Sequence, residues 1–384
     1  MPAGAKQRMT DSNNSLPRME QCYGILPSML RKFDRYARRD SFRGDTRGEF
    51  EQWRSETRSL LHGLLGLDKM EDCGLSPVLE DVLLLPGGIR REHIRIQAEP
   101  DVWMPMFVLV PPGAGCSSRP FICPPGHNGA GKYSVAGLDG YGPVRDKIRQ
   151  YHYDYGYQLA KLGYVAVCPD CRGFGERRED LEDTKDAAAA MKGDCYRLAH
   201  MGESLGIPVA GMLAWDLMRV VDYLMERGEW DMEAVSCLGF SGGGMQTLWL
   251  SALDERIRLA VISGYMYGYR DALLALNQNC SCNYVPHLWE HLDMGDIASL
   301  IAPRPLLIQS CRGDRLNGPR GIVNAAEQVD IIRNAYRLTD APGLVIHEIC
   351  EGPHQWHGEN LAVHPGQLMD SYEEIKANQE VFHG

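Results

Sequence analysis

A serine between glycines is the first place where this sequence could do chemistry. Residues 239–243 read Gly-Phe-Ser-Gly-Gly, a G-x-S-x-G pentapeptide that follows an apolar run and precedes a segment with helical periodicity. At a sharp turn from strand to helix, the flanking residues must lack side chains and the serine hydroxyl is lifted above the sheet edge. We therefore predict that Ser241 is a nucleophile and that the N–H of Gly242 faces a developing oxyanion. The alternative is a glycine-rich turn with an idle serine.

Activation of a serine requires a base, and the base requires an acid that holds its tautomer. After Ser241 the run RPLLIQS leads to Asp314, and the run LVIHEIC leads to the segment GPHQWHGE, which contains His354 and His357. This is the chain order serine, acid, histidine of the strand–turn–helix architecture. We predict Asp314 as the acid, although an aspartate beside a glycine also serves turns. His354 is preferred as the base because it is closer to the strand end, and His357 is the alternative or a substrate contact.

A glycine-rich loop follows the third predicted strand and is expected to supply the second oxyanion donor. Residues 124–131 read PPGHNGAG, and their small side chains allow a backbone amide to approach a substrate closely. Asn128 or Gly129 is the predicted donor, and His127 is a candidate for the substrate pocket. A phosphate-binding interpretation fails because the stretch does not match G-x-x-x-x-G-K-[ST].

The remaining chain has the pattern of an α/β domain. A helix is predicted at 47–65, and from about residue 89 short apolar runs alternate with helical segments. Eight strands are predicted at 93–97, 104–110, 120–123, 164–168, 234–240, 260–263, 305–309 and 345–349, and helices at 151–162, 211–227, 242–252 and 321–338. This alternation predicts a mostly parallel eight-stranded sheet with helices on both faces. We divide the chain into an N-terminal tail with a helical extension (1–75) and a catalytic domain (76–384) with insertions near 177–208 and 264–296.

Composition narrows the class of protein. The 384 residues are 44% hydrophobic and 24% charged, as in ordinary globular domains, and the net charge of -11 argues against nucleic acid or anionic membrane as a partner. The apolar runs are much shorter than the ~20 residues that span a bilayer. The first residues lack the apolar stretch of a secretory signal. We therefore expect a cytoplasmic protein in which the twelve cysteines are mostly reduced.

Several motifs together resemble a known family. The segments PPGHNGAGK, PDCRGFGER, GFSGGGMQTLWLSALDERI, CSCNYVPHL, IAPRPLLIQS and GPHQWHGE resemble α/β-hydrolases of the branch that contains dienelactone hydrolases and acetyl xylan esterases. The resemblance covers about residues 49–358. It implies the α/β-hydrolase fold and serine esterase activity, with Ser241 as nucleophile, His354 as base and Asp314 as acid. The sequence departs from the family where the first loop reads GHNG and where RLNG follows the acid.

Other residues are weaker candidates. Arg172, after the fourth strand, could meet an acidic substrate or anchor its loop to Asp170, and we favour this internal ion pair. Tyr265 and Trp356 are aromatic candidates for the pocket, because rings stack on sugars and phenols form hydrogen bonds. Cys280 and Cys282, followed by His287 and His291, suggest zinc, but the spacing matches no structural zinc framework and we expect no metal.

The sequence therefore predicts a serine carboxylic-ester hydrolase that works through an acyl-enzyme and needs no metal or organic cofactor. Its expected partner is a small-molecule or carbohydrate ester, which would bind in a pocket that includes aromatic side chains. Two alternatives stay open: the same three residues cleaving a C–C or amide bond, and a catalytically silent binding protein that retains the fold. The N-terminal helical segment could cap the active site or contact another subunit in a homo-oligomer.

Overall fold

The computed structural model describes residues 23–179, 186, 188–361 and 364–383, with side chains to residue 375. Residues 1–22 of the predicted N-terminal tail, with Cys22, and part of the first insertion therefore lie outside the described residues. The eleven cysteines that are described are all free thiols.

A nine-stranded mixed sheet forms the centre of the molecule. Its strands are β1 (Val78–Leu84), β2 (Arg90–Glu99), β3 (Val102–Val110), β4 (Pro120–Ile122), β5 (Val165–Pro169), β6 (Ser236–Phe240), β7 (Leu259–Ser263), β8 (Leu306–Cys311) and β9 (Val345–Cys350). The spatial order is β1-β2-β3-β5-β4-β6-β7-β8-β9. Strands β1, β2 and β3 are antiparallel to their neighbours, whereas all pairs from β5 to β9 are parallel. The predicted fold class is confirmed. The number of strands is nine instead of eight, because β1, with no buried residue, lacks the alternation of apolar and polar residues that marks a half-buried strand.

Helices cover both faces of the sheet, as predicted. They are α1 (Leu26–Tyr36), α2 (Arg47–Leu64), α3 (Lys132–Val135), α4 (Gly142–Tyr151), α5 (Tyr155–Lys161), α6 (Cys195–Gly202), α7 (Val209–Arg227), α8 (Gly242–Leu253), α9 (Leu288–His291), α10 (Met294–Ser299), α11 (Ile322–Leu338) and α12 (His364–His383). The helix predicted at 151–162 is wrong at its start. Helix α4 ends at Tyr151, His152 adopts a left-handed φ of 57°, and α5 begins at Tyr155.

The N-terminal helical segment packs onto the catalytic fold. Helix α2 begins with a capping box between Thr46 and Glu49 and buries Phe50 and Leu61. The Arg58 guanidinium, which projects from α2, donates hydrogen bonds to carbonyl oxygens near the ends of α8 and α10. These carbonyls would otherwise lack an intrahelical partner. The segment therefore completes the ends of two helices that flank the sheet.

The core lies between the parallel strands and their helices. Every residue of β5, β6, β7 and β8 is buried, as are most residues of α7 and α8. Within the described ranges no single helix has the length and apolarity to cross a membrane. The helical stretch Cys195–Leu205 followed by Val209–Arg227 meets that test only as a pair bent by 99°.

Candidate active site

Ser241 lies on a strained turn between β6 and α8. Its φ of 58° and ψ of -121° are unusual for a residue with a side chain. A Cβ atom added at Gly239 would overlap the carbonyl oxygen of Gly243, and one added at Gly243 would overlap that of Pro124. The Ser241 N–H donates to the carbonyl of Ser263 at the end of the neighbouring strand β7, over 2.9 Å. The two glycines thus permit the turn, and the turn raises the serine above the parallel sheet edge.

Ser241, His354 and Asp314 form a continuous hydrogen-bonded chain. The Ser241 hydroxyl oxygen lies 2.8 Å from His354 Nε2, and His354 Nδ1 lies 2.6 Å from Asp314 Oδ2. The other carboxylate oxygen of Asp314 accepts a hydrogen bond from the Leu316 N–H at 2.8 Å, and the residue is only 4% exposed. Cys311 and Cys350, the last residues of β8 and β9, lie opposite each other in the strand register. The segments that carry the acid and the histidine therefore leave the sheet at the same level. The structure brings together the three residues that the sequence predicted for catalysis.

The two other histidines of the C-terminal region lie elsewhere. His357 Nδ1 is 3.5 Å from a Glu359 oxygen, and its carbonyl accepts a hydrogen bond from Gln309. It does not line the cavity at Ser241, so its prediction as a pocket residue is wrong. His347 lies within β9, 3.1 Å from the Ser310 hydroxyl. Burial and the charge of Arg333 lower the pKa of His347 to about 4.

The loop after β4 lies against the serine turn. Asn128 lines the cavity beside Ser241 and has a left-handed φ of 61°. Gly129 is buried against Ser134 and Tyr153 and does not line the cavity, so of the two predicted donors only Asn128 faces it. The side chain of His127 lies so close to Gly242 that a Cβ atom there would come within 2.5 Å of Nδ1.

A buried ion pair fixes the far end of this loop. Asp170, at the end of β5, accepts a hydrogen bond from the Lys132 N–H at 2.7 Å and lies 2.6 Å from the Lys132 ammonium. Both side chains are fully buried. Glu176 also pairs with the ammonium. Because a buried carboxylate needs such partners, Asp170 ties the loop to the neighbouring strand.

A cavity of about 690 Å³ opens over Ser241 and His354. Its wall combines aromatic rings with side-chain amides: Tyr151, Tyr153, Tyr265, Tyr267, Gln150, Gln278, Asn279 and Asn283. Tyr265, a predicted pocket residue, lines it, and its hydroxyl donates to Asn283 Oδ1 at 2.7 Å. The cavity thus offers both stacking surfaces and hydrogen-bonding groups to a ligand.

Two predicted pocket residues have structural positions instead. Arg172 does not line the cavity and forms internal ion pairs, as favoured, but with Glu99 at 2.5 Å and Asp216 at 3.1 Å and not with Asp170. Trp356 is completely buried against the Tyr155 ring. Its closeness to His354 in sequence suggested a place at the pocket mouth, but its indole points into the core.

Tyr153 belongs to the site although it was not among the predicted pocket residues. Its hydroxyl donates to the His127 carbonyl at 2.5 Å, and its ring lines the cavity. Burial and the neighbouring Tyr151 raise the pKa of Tyr153, whereas a hydrogen bond with Ser241 acts in the opposite direction. The phenol therefore stays protonated, and its one proton is donated to the His127 carbonyl. Its alternation with other tyrosines in the sequence was the available signal.

Three thiols surround the imidazole of His127. Its Nε2 lies 3.3 Å from Cys282 Sγ and 3.6 Å from Cys195 Sγ, and Cys280 completes the group. Burial alone would lower the pKa of His127, but the neighbouring Cys195 and Cys280 raise it to about 10. Hydrogen bonds from the other two cysteines lower the pKa of Cys280.

The histidines that sequence spacing had placed near these cysteines are not in the group. His287 pairs with Glu290 at 2.8 Å, and His291 pairs with Asp40 at 2.5 Å. The zinc set suggested by the spacing is therefore wrong in its histidines. Cys195 enters from the other insertion, and no local spacing could have linked it to Cys280 and Cys282.

With this geometry established, comparison with known proteins assigns the chain to a family. The sequence model that defines the Abhydrolase family matches residues 3–362 of this chain. The chain belongs to the Abhydrolase family. The resemblance to α/β-hydrolases noted from the sequence motifs is thereby confirmed, and Ser241, Asp314 and His354 all fall within the matched region.

Individual relatives agree with this membership. The chain is 30% identical over 169 residues to the Bacillus subtilis (strain 168) protein named putative hydrolase YtaP. The aligned stretch is 43% of this chain and only about half (52%) of that relative. A putative acetyl xylan esterase from Bacteroides fragilis NCTC 9343 has the same fold, with a TM-score of 0.68 and 22% identity over 87% of this chain and 83% of the other. A glucuronoyl esterase from Solibacter usitatus superposes with a TM-score of 0.59 and 16% identity over 83% and 93%. The family match gives the membership, and the two solved structures show the same fold.

Proposed function

We propose that this protein is a serine carboxylic-ester hydrolase that acts on carbohydrate esters through an acyl-enzyme. The observation that carries the proposal is the chain from Ser241 Oγ to His354 to Asp314, with contacts of 2.8 and 2.6 Å, at the base of an open cavity. A nucleophile, a base within reach of its proton and an acid that holds the base are the parts that acyl transfer needs.

In the first half-reaction Ser241 Oγ attacks the acyl carbon while His354 Nε2 takes its proton. The Asp314 carboxylate keeps the remaining proton of His354 on Nδ1 and stabilises the imidazolium that forms. His354 then donates its Nε2 proton to the leaving alcohol. In the second half-reaction the same nitrogen takes a proton from the water that attacks the acyl-enzyme. It returns this proton to Ser241 Oγ as the bond to the acyl group breaks and the acid is released.

The negative oxygen of each tetrahedral intermediate needs hydrogen-bond donors. Gly242 is the first residue of α8, where a backbone N–H has no intrahelical acceptor, and it follows the nucleophile directly. The loop after β4 supplies the second donor in our proposal, from Asn128, which faces the cavity. The buried Asp170–Lys132 pair ties the far end of this loop to the end of β5 and so restrains the loop that carries the second donor.

The cavity wall supports a carbohydrate-type substrate. Tyrosine rings offer stacking faces to a sugar, and the amides of residues such as Asn279 and Asn283 match its hydroxyl groups. Two proteins that share the fold are named for esters of this kind, an acetyl xylan esterase and a glucuronoyl esterase. The acyl group is small in this proposal, as in the acetyl esters for which one of these proteins is named.

The test combines covalent labelling with matched histidine variants. A fluorophosphonate probe followed by peptide mass spectrometry should label Ser241, and labelling should be lost in His354→Ala but retained in His357→Ala. Acetylated xylo-oligosaccharides, methyl uronates and the corresponding anilides should then be compared by kcat/KM. Faster turnover of the anilides than of any ester would favour amide cleavage. Absence of labelling in a folded, monodisperse protein would favour the silent binding protein.

Cytoplasmic location and homo-oligomer formation stay predictions, to be checked by fractionation and light scattering.

A further inference from the structure

A group of one histidine and three cysteines lies beside the proposed active site and has no part in the acyl-transfer steps. His127 comes from the loop after β4, Cys195 begins α6 in the first insertion, and Cys280 and Cys282 lie in the second insertion. Their ligand atoms, His127 Nε2 and three Sγ atoms, all lie within 4.8 Å of one another. Three segments far apart in sequence thus bring four metal-binding atoms to one point.

The two nitrogen–sulfur distances that the structure gives are close to those of a tetrahedral metal site. With Zn–S bonds of about 2.3 Å and Zn–N bonds of about 2.05 Å, a tetrahedral centre separates nitrogen from sulfur by about 3.6 Å and two sulfurs by about 3.8 Å. The distances from His127 Nε2 to Cys282 and Cys195 are 3.3 and 3.6 Å. Three cysteines and one histidine are also one of the standard ligand sets of structural zinc.

The surroundings of the group support the ligands. The Asn283 amide lies 3.5 Å from Cys282 Sγ, where it can donate to the sulfur, and it also donates to the Cys280 carbonyl at 2.9 Å. Tyr265 in turn holds the amide oxygen of Asn283 at 2.7 Å. Such outer hydrogen bonds orient metal ligands and tune their basicity. His127, Cys280 and Asn283 line the cavity, which gives an ion a path to the site.

We propose that His127, Cys195, Cys280 and Cys282 bind one Zn²⁺ ion, which pins both insertions to the loop beside Ser241. Four protein ligands close the coordination sphere, so the ion is a positioning element and supplies no water to the reaction. Through His127, which touches Gly242, it fixes the wall of the cavity on the side of the proposed oxyanion donors. Zinc binding itself does not depend on whether Ser241 is a nucleophile.

The experiment measures zinc directly in the full-length chain. Protein purified from zinc-supplemented medium is desalted and analysed by inductively coupled plasma mass spectrometry, together with Cys195→Ala, Cys280→Ala, Ser241→Ala and Cys237→Ala. Cys237 is a buried thiol in β6, 3.3 Å from Thr247, and serves as the matched control. We expect one zinc per chain in the parent, Ser241→Ala and Cys237→Ala, and loss of zinc in the two ligand variants. Asn283→Ala should weaken zinc binding by about 10–100-fold.

A second readout covers variants that fail to fold. Zinc in the parent protein is removed with a chelator and replaced by Co²⁺, which should give the visible bands of a tetrahedral thiolate site and a sulfur-to-cobalt charge-transfer band. Hydrogen exchange in the peptides that contain Cys195 and Cys280 should speed up when zinc is removed and recover when it returns.

Three results would overturn the proposal. The first is a parent protein that binds neither zinc nor cobalt although its thiols are free. An intact mass lower by two hydrogens, with a disulfide mapped between two of the three cysteines, assigns the group to a disulfide instead. Zinc that persists in the Cys195→Ala/Cys280→Ala double variant belongs to another site. Retention of zinc in an inactive Ser241→Ala protein separates this proposal from the esterase assignment.

Discussion

Replacing Asp314 by asparagine isolates one step of the proposed mechanism, the control of the His354 tautomer. The asparagine oxygen can keep the 2.8 Å hydrogen bond from the Leu316 N–H, so its NH₂ group is turned toward His354 Nδ1. An NH₂ donor there forces the ring proton onto Nε2. That nitrogen then faces the Ser241 hydroxyl at 2.8 Å as a donor and cannot accept its proton.

The size of the loss follows from this inversion. Losing the correct tautomer in a serine–histidine–acid system costs about 10⁴ in kcat, equivalent to about 5.4 kcal/mol of transition-state stabilisation. Asp314 is only 4% exposed, so water cannot replace the missing acceptor. The free energy of unfolding should change by no more than about 1 kcal/mol, because both hydrogen-bonded neighbours keep a partner.

The assay is kcat for p-nitrophenyl acetate, with the pre-steady-state burst measured on the same samples. Asp330→Asn serves as the matched control, since Asp330 is an exposed carboxylate on α11 that pairs with Arg333. We expect full activity in the control and about 10⁴-fold loss in Asp314→Asn, with similar melting temperatures. A loss below tenfold in a folded Asp314→Asn protein would refute the tautomer argument and remove Asp314 from the mechanism.

Three further predictions concern stability. Lys132→Met leaves the fully buried Asp170 without its cation and should lower the free energy of unfolding by about 3–5 kcal/mol, measured by urea denaturation. His347 has a pKa lowered to about 4 by burial, so the native state binds a proton more weakly than the unfolded state, and stability falls as pH drops below about 6.5. Between pH 7 and 5 the parent should lose about 1–2 kcal/mol that His347→Gln does not lose. Gly211→Ala places a Cβ atom on a carbonyl oxygen of the N-terminal segment and should cost about 1–3 kcal/mol, whereas Gly63→Ala, with open space around it, should not destabilise. Equal melting temperatures for the two glycine variants would contradict the packing of that segment.

The sequence predicted the serine, the acid and the histidine because each comes after a strand of the parallel part of the sheet, and parallel strands deliver such residues to one edge. It could not predict which way side chains turn within a loop. Trp356 is two residues from His354 yet packs against Tyr155 in the core, and Arg172 finds carboxylates that come from distant segments. These outcomes depend on tertiary contacts that no local pattern encodes.

The same limit applies to the edge strand and to the thiol group. Strand β1 has almost no buried residue, and an exposed strand lacks the periodic signal that a core imposes. Cys195 and Cys280 are 85 positions apart, and only the fold of both insertions brings them to His127. Spacing rules identify metal sites when the ligands lie in short motifs, and here they do not.

Strand β1 also has a consequence for handling the protein at high concentration. It is the edge strand of the sheet, and among the described strands none pairs with its outer backbone edge. Its side chains Leu79 and Leu84 are 59% and 77% exposed. An open strand edge is a template for pairing with another chain, although the register shift between Leu79 and Asp81 interrupts it. The net charge of -11 keeps molecules apart at neutral pH. Near the isoelectric point of about 5.6, or in concentrated salt, that repulsion weakens, and β1 is where aggregation should begin.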